Sequence, residues 1–290
     1  MENILKKAAW LNEAMPYMQK YHNKTVVVKY GGSAMLNEEL KSSVMRDITL
    51  LSAIGINVVL VHGGGPEINS MLARLGKEAV FIDGLRYTDA ETAEVVAMVL
   101  AGKVNKGLVA LIHSNKGRAI GLCGVDAGMI TAERIERETD LGFVGIVSEV
   151  DPACISMAID RGYIPVVATI GADKSGQVYN INADTAAAAI AGAMQAEKFI
   201  TMTDVAGVLA DQSDESSLIS EIKTEDVPEL IARGVIAGGM IPKVESCVTA
   251  INEGLKEAAI IDGRIEHSIL IELFSDRGNG TLLRKYHQLK

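Results

Sequence analysis

The chain has 290 residues, 48% hydrophobic and 22% charged, enough to bury a sizeable core in one large α/β domain or in two lobes sharing a sheet. A net charge of −9 and an aromatic content of 4% leave neither a basic face nor a stacking platform, which argues against nucleic acid and anionic membrane as partners. The three cysteines, Cys123, Cys154 and Cys247, are far apart and form no Cys-x-x-Cys, so they read as small buried residues of a reducing, cytoplasmic compartment, and the scattered histidines suggest no metal site.

In chain order, residues 3–21 predict an amphipathic helix, with Ile4, Leu5, Ala8, Leu11, Met15 and Met18 at steps of three and four and a kink at Pro16. Lys6, Lys7 and Glu13 interrupt it, so it is not a secretory signal, and no apolar run reaches the ~18 residues of a membrane helix. Thr25–Tyr30 (TVVVKY) is a β-branched run suited to a strand buried on both faces. Gly31-Gly32 ends it, and Asn37 caps a helix to Ala53 that Gly55 closes. Asn57–Val61 is a second buried strand, followed by His62-Gly63-Gly64-Gly65-Pro66, with Pro66 placed for the first turn of a helix.

Farther on, 90–112 predicts a long helix. Stretches 118–122, 129–135 and 143–148 predict short strands in a local antiparallel patch. A helix at 152–161, a strand at 164–168, an Ala-rich helix at 184–194 and a strand at 198–202 follow. Helices near 224–233 and 240–254, a strand at 258–261 and a last helix from His267 complete the series. Strands alternating with helices predict a mostly parallel sheet covered on both sides, with a soft boundary in the polar stretch 173–180.

Gly31-Gly32 and Gly63-Gly64-Gly65 sit where open α/β sheets bind ligands, at the carboxyl ends of parallel strands. Glycine there lets backbone N–H groups approach an anion. No G-x-x-x-x-G-K-[ST] occurs, and Gly278-Asn279-Gly280 lacks the context of a dinucleotide fingerprint. Lys29 is either a solvated strand end or a cation aimed at the same anion. Lys243, after Gly238-Gly239, is either a surface lysine or its counterpart. Asn182 and Asp184 are either plain helix caps or pocket-lining groups, with Asp184 holding the two lysines. Arg86 is either a surface residue or a bidentate clamp for a carboxylate.

VVVKYGGSAM (ending at Met35), VLVHGGGPEIN (59–69), DGLRYTD (83–89), AGKVNK (101–106), NINADTAA (180–187), TDVAGVL (203–209) and GGMIPKVES (238–246) run in order through nearly the whole chain. Together they resemble the amino acid kinase family, in its branch acting on N-acetyl-L-glutamate. The resemblance implies an α/β fold, a three-layer α/β/α sandwich with a mostly parallel central sheet. It divides the chain into an oligomerisation helix (1–22), an amino-acid-binding lobe (23–175) and an ATP-binding lobe (176–290). It implies ATP and Mg²⁺ as cofactors. Lys29 and Lys243 would stabilise the transferring phosphoryl group, Asp184 would orient them, and Gly32 and Gly64 would donate N–H bonds. Gly64, Gly65, Arg86, Asn180 and Asn182 would hold N-acetylglutamate. Thr203, Asp204, Val205, Gly207, Leu209 and Met240 would contact the nucleotide. A substrate carboxylate is already ionised at neutral pH, so this chemistry needs no general base. Val125, Ala127 and Ile146 stand where the family commonly has lysine, glycine and glutamate.

LNEAMPYMQKY near the N-terminus and HSILIELFSDRGNGT near the C-terminus resemble the arginine-inhibited branch. That implies L-arginine bound at His267, Glu272 and Gly278, a homo-oligomer (a hexamer built as a trimer of dimers, or a dimer), feedback control in arginine biosynthesis and, in some relatives, a nitrogen-signalling regulator. A carbamate or glutamate kinase, a non-catalytic arginine sensor and a nicotinamide-dependent oxidoreductase are the alternatives. Arg86 with Asn180 argues against the first, the retained Lys29, Asp184 and Lys243 against the second, and the missing glycine fingerprint against the third.

Overall fold

The computed structural model describes residues 2–285; Met1 and residues 286–290, the outermost ends of the expected terminal segments, lie outside the described residues, as do the side chains of Glu2, Asn3, Ile4, Lys7 and Ser33. The chain opens with α1 (Glu2–Tyr21), β1 (Thr25–Tyr30), α2 (Glu38–Ala53), β2 (Asn57–His62) and α3 (Gly65–Arg74). A short hairpin follows, β3 (Phe81–Ile82) and β4 (Leu85–Arg86), then a continuous helical stretch of α4 (Ala90–Ala97), a π-helical segment (Met98–Val104) and α5 (Asn105–Ser114). Next come β5 (Ala119–Cys123), β6 (Ile130–Arg134), β7 (Val144–Val150), α6 (Ala153–Asp160), β8 (Ile164–Ala168), β9 (Ile170–Ala172) and β10 (Val178–Ile181). The last part holds α7 (Ala183–Ala193), β11 (Lys198–Thr203), β12 (Glu221–Lys223), α8 (Val227–Ala232), α9 (Met240–Asn252), β13 (Glu257–Asp262), α10 (Ser268–Phe274) and β14 (Gly280–Arg284).

Eight strands form the central sheet in the order β12-β14-β13-β11-β1-β2-β8-β5. From β13 to β5 every neighbour is parallel, and β14 turns back antiparallel on β13. The expected antiparallel patch needs a correction. β6 and β7 do pair antiparallel, inside a small closed barrel with β9 and β10, but 119–123 belongs to the main sheet as a parallel edge strand on β8. The run Ala119–Cys123 looks no different from its neighbours in sequence. What separates them is the turn at Gly124–Gly128, where Ala127 and Gly128 take positive φ and redirect the chain.

Period-two alternation sorts the buried strands between two cores. On β1, Val26, Val28 and Tyr30 face the layer built by α1, α2, α3, the 90–114 stretch and α10, whereas Val27 faces the layer of α7, α8 and α9. Lys29 therefore shares Val27's face and points toward α7. On β11, Phe199 and Thr201 take that same face, and Lys198, Ile200 and Met202 take the other. This parity decides which polar groups meet.

Local signals explain the helix ends. The Asn37 side chain accepts from Glu39 N at 2.9 Å and Leu40 N at 3.1 Å, the expected cap of α2. By length and composition alone the helical stretch 90–114 could cross a bilayer, but Val99, Leu100, Leu108 and Ile112 are buried in the core and Asn105 is hydrogen-bonded within it. α1 runs unbroken through Pro16; its last turns dock on the C-terminal half, with Lys20 Nζ 3.2 Å from Glu257 Oε1, while Leu5, Trp10, Leu11 and Met15 stay exposed.

Candidate active site

The carboxyl ends of β1, β2 and β11 converge on the start of α7. Asp184, in the first turn of α7, takes both lysines: Lys29 Nζ lies 3.0 Å from its Oδ1 and Lys243 Nζ 2.8 Å from its Oδ2. Thr201, the register partner of Lys29 on β11, donates its hydroxyl to Oδ1 at 3.0 Å. All three charged groups are largely shielded from water, so neither the solvated-end reading of Lys29 nor the surface reading of Lys243 holds. Burial alone would raise the Asp184 carboxyl; the charges of Lys29 and Lys243 overcome it and hold the group down at about 2. Burial lowers Lys29 from its ordinary value, with Asp184 opposing. Two positive groups and one negative leave a net positive charge in a poorly solvated pocket, where a phosphoryl oxygen is strongly attracted.

Gly32 has φ +71, and a side chain there would meet the Asp204 carboxylate at 2.3 Å, so glycine is demanded by conformation and by space. Gly64 has ordinary extended φ; its constraint is purely one of space, because a Cβ would meet Leu100 Cδ2 at 2.7 Å. No side chain caps α3, whose first turn carries Pro66, so amides of the Gly64–Gly65 turn point outward at a helix N-terminus.

Arg86, on β4, is 7% exposed. Its Nη2 donates to Asn69 Oδ1 at 2.6 Å and to Gly65 O at 3.3 Å, and its guanidinium lies 4.7 Å from the Phe81 ring. Nη1 is buried with no partner, and no carboxylate pairs with this arginine among the described residues. A buried guanidinium in that state is poised for an anionic ligand. Asn180 Nδ2 donates to Thr88 Oγ1 at 3.2 Å, and Thr88 in turn donates to Arg86 O at 2.9 Å, which brings the two predicted substrate residues to one place. Asn182 caps α7, its Oδ1 accepting from Asp184 N at 2.8 Å and Thr185 N at 3.3 Å, as its plain capping reading expects. It also lines a cavity of about 720 Å³ with Asp184, Lys243, Leu85 and Val144. Ile146, one of the departures, lines the same cavity.

Of the predicted nucleotide residues, Thr203 ends β11, the strand that carries Thr201; Asp204 follows it, and Val205 is exposed there. Gly207 and Leu209 lie farther out against β14: a side chain at Gly207 would meet Thr281 Oγ1 at 2.6 Å, and Leu209 bridges Leu218. Met240 begins α9, half-buried. Both oxygens of Asp184 are taken by lysines and Thr201, so that carboxylate is built to hold cations of the protein; a Mg²⁺ here fits best on the phosphates of a nucleotide.

The three residues expected to bind arginine lie on the other face of the sheet. Glu272 Oε1 is 2.7 Å from Lys198 Nζ, both buried, and Glu272 Oε2 accepts from Asn279 N at 3.2 Å. A side chain at Gly278 (φ +61) would meet Glu272 Oε2 at 2.1 Å. His267, left-handed at φ 61, precedes α10 and places Nδ1 2.7 Å from Asp47 Oδ1. Sequence reasoning missed Thr201, Asn69, Phe81, Lys198 and Asp47. Strand parity gave a signal only for Thr201 and Lys198, once β11 was placed beside β1.

The Amino acid kinase family profile matches residues 24–262. Acetylglutamate kinase of Brachyspira hyodysenteriae (strain ATCC 49526 / WA1) is 56% identical over 98% of this chain and 100% of its own length. That of Heliobacterium modesticaldum (strain ATCC 51547 / Ice1) is 52% identical over the same shares. Among solved structures, N-acetylglutamate synthase from Neisseria gonorrhoeae, complexed with coenzyme A and N-acetyl-glutamate, superposes with a TM-score of 0.85 at 26% identity, covering 97% of this chain and 64% of the synthase. With its α/β/α sandwich, its lysine pair on Asp184 and these relatives, the chain belongs to the amino acid kinase family, among the acetylglutamate kinases.

Proposed function

We propose that the protein transfers the γ-phosphoryl group of ATP to the side-chain carboxylate of N-acetyl-L-glutamate, giving N-acetyl-L-glutamyl 5-phosphate, the second step of arginine biosynthesis, in the cytoplasm. The observation that carries this reading is the pairing of a Lys29–Asp184–Lys243 cluster with the buried, incompletely bonded Arg86. A carboxylate oxygen attacks phosphorus as the bond to the ADP oxygen breaks. Lys29 and Lys243 offset the charge on the transferring group, Asp184 keeps their ammonium groups apart and aimed, and the Gly32 and Gly64 amides bind its oxygens. Arg86 takes the substrate's α-carboxylate, and Gly65, Asn180 and Asn182 take its amide and remaining oxygens. Thr203, Asp204, Val205, Gly207, Leu209 and Met240 border the nucleotide, and Mg²⁺ bound to the phosphates supplies further charge neutralisation when present.

Arginine feedback belongs to the same proposal. Four orphaned buried polar atoms, Asp47 Oδ2, Ser268 Oγ and both amide atoms of Asn279, flank the two ends of α10 near His267, Glu272 and Gly278. Such unmet hydrogen-bonding capacity suits a polar ligand. Lys198 already holds Glu272, so an arginine guanidinium would share that carboxylate. The exposed apolar residues of α1 fit packing against another copy in a hexameric ring, and a nitrogen-signalling regulator remains a candidate partner.

Acyl-phosphate formation trapped with hydroxylamine tests the proposal, with N-acetyl-L-glutamate beside L-glutamate, aspartate and carbamate, with and without L-arginine. Turnover confined to N-acetylglutamate, abolished in Lys243→Ala and suppressed by arginine, is the expected result. Folded wild-type protein that phosphorylates none of the four would overturn it.

A further inference from the structure

The stretch AGKVNK (101–106) carries part of the family resemblance and has no part in the site as described so far. Within it Asn105, fully buried, stands where the π-helical segment gives way to α5. Its Nδ2 lies 2.8 Å from Val166 O and 3.1 Å from Leu122 O, and its Oδ1 accepts from Lys106 Nζ at 3.1 Å. Two carbonyls on one side and an ammonium on the other fix which way the amide faces. The same Nδ2 is 3.1 Å from Nε2 of His62, a residue with no exposed surface. One Nδ2 hydrogen serves Val166 O and the other is shared between Leu122 O and Nε2, which makes Nε2 the accepting nitrogen of the ring. The ring proton then sits on Nδ1, 2.8 Å from Gly63 O, and is donated to it. Burial lowers the His62 pKa to about 4, in keeping with a neutral ring.

The Gly63 carbonyl and the Gly64 N–H belong to one planar trans peptide and point in opposite directions. Holding the oxygen from below therefore aims the N–H above. From the same helical stretch, Leu100 and Val104 close on Gly64 so tightly that a Cβ there would meet them at 2.7 and 3.2 Å. A π-helical turn widens the helix locally, and such turns concentrate at functional sites. Gly121 leaves the space that Asn105 needs, since a Cβ there would meet its Oδ1 at 1.9 Å.

We propose that Asn105 and His62 form a buried positioning relay that orients the Gly63–Gly64 peptide and so aims the Gly64 amide at the anion in the active site. The inference rests on the reading of Gly64 as an anion-binding amide, and it makes His62 a positioning residue, not a catalytic one. In a His62→Phe variant both Asn105 hydrogens keep their carbonyl acceptors, and the new ring fills the volume, so folding is preserved. His62→Asn keeps a donor near Gly63 O.

Two measurements on the full-length protein test it. Nitrogen-15 NMR of the labelled histidine rings should show His62 protonated on Nδ1 and unprotonated on Nε2 throughout pH 6–8 (about). In steady-state assays His62→Phe should lower kcat by about tenfold or more with KM for ATP changed less than about twofold, and His62→Asn should recover most of the loss. A ring protonated on Nε2, a wild-type kcat in His62→Phe, or a parallel rise in KM for ATP would overturn the relay. If wild-type protein makes no acyl phosphate, the kinase reading fails by itself, while the ring tautomer still decides whether the relay exists.

Discussion

Asp184 sits between two ammonium groups and is the residue on which the charge balance of the site turns. Replacing it by asparagine keeps the shape but leaves two buried cations facing each other, which Coulomb repulsion and desolvation both oppose. Asp184→Asn should lower kcat by about a hundredfold or more. It should also destabilise the protein by roughly 3 kcal/mol, the usual cost of breaking a buried pair. Kinetics and urea unfolding on the same preparation check both, and a near-native kcat would remove Asp184 from the mechanism. The pH dependence has a definite sign. The folded-state value of about 2 lies below the ordinary 3.8, so the stabilisation from this carboxylate is complete above about pH 4 and is lost as pH falls toward 2. Arg86 makes a different prediction. Lysine at 86 keeps a charge but loses the planar fork, so Arg86→Lys should raise KM for N-acetylglutamate by about tenfold or more and leave KM for ATP alone. An unchanged KM for N-acetylglutamate would take Arg86 out of the substrate site.

At the scale of elements, the long β-branched runs were legible because burial on both faces leaves one reading: Thr25–Tyr30, Asn57–His62 and Ile164–Ala168 are strands of the parallel sheet. The short pieces were not. β3 and β4 have two residues each, and β12 has three, too few for any periodicity. β14 begins at Gly280, and the sequence reading ended with the helix from His267 and placed no strand there. The π-helical segment keeps the apolar pattern of an ordinary helix and leaves no mark in sequence. In the site, Asp184 as the holder of Lys29 and Lys243 was one of two readings of the residues, with a plain helix cap as the other, and the family resemblance favoured it. The physical ground for the meeting of Lys29 and Asp184, across 155 positions, is β11 lying beside β1 with both Lys29 and Thr201 on the α7 face, and that comes from the sheet order. The same strand carries Lys198 at its other end and on its other face, paired to Glu272 of α10. That arrangement predicts a separable effect. Glu272→Gln keeps the side chain's size and should weaken arginine inhibition by about tenfold, with kcat in the absence of arginine unchanged. Dose–response curves for the two proteins check this, and identical curves would exclude Glu272 from the inhibitor site.

Across the whole molecule the two candidate sites occupy opposite ends of β11, and α1 adjoins only one of them. Its last turns are tied to the C-terminal half through a Tyr17–Asp276 hydrogen bond, the Lys20–Glu257 pair and the buried Tyr21. Its earlier turns leave Leu5, Trp10, Leu11 and Met15 in water, four large apolar side chains on one projecting helix. Such a face is stable in solution when another surface covers it, and the proposed ring of dimers offers a second α1 to do so. A helix that is joined to α10 at one end and to another subunit at the other would carry any shift of α10 into the assembly. It would carry nothing to Lys29 directly, because the lysine lies on the opposite face of the sheet. Placing charges on the projecting turns should therefore separate assembly from chemistry. In Trp10→Glu/Leu11→Lys, light scattering after size exclusion should show the mass fall from that of the ring to that of a dimer. Arginine-free kcat should stay within about twofold of wild type, because no residue of the active site has changed. The arginine dose–response should move to higher concentration or disappear, because differential binding requires two assembly states to choose between. If the variant keeps the wild-type mass, α1 is not the joint. If the mass falls and arginine still inhibits with unchanged potency, the inhibitor acts within one subunit, through Lys198 and β11, and the ring is not its lever.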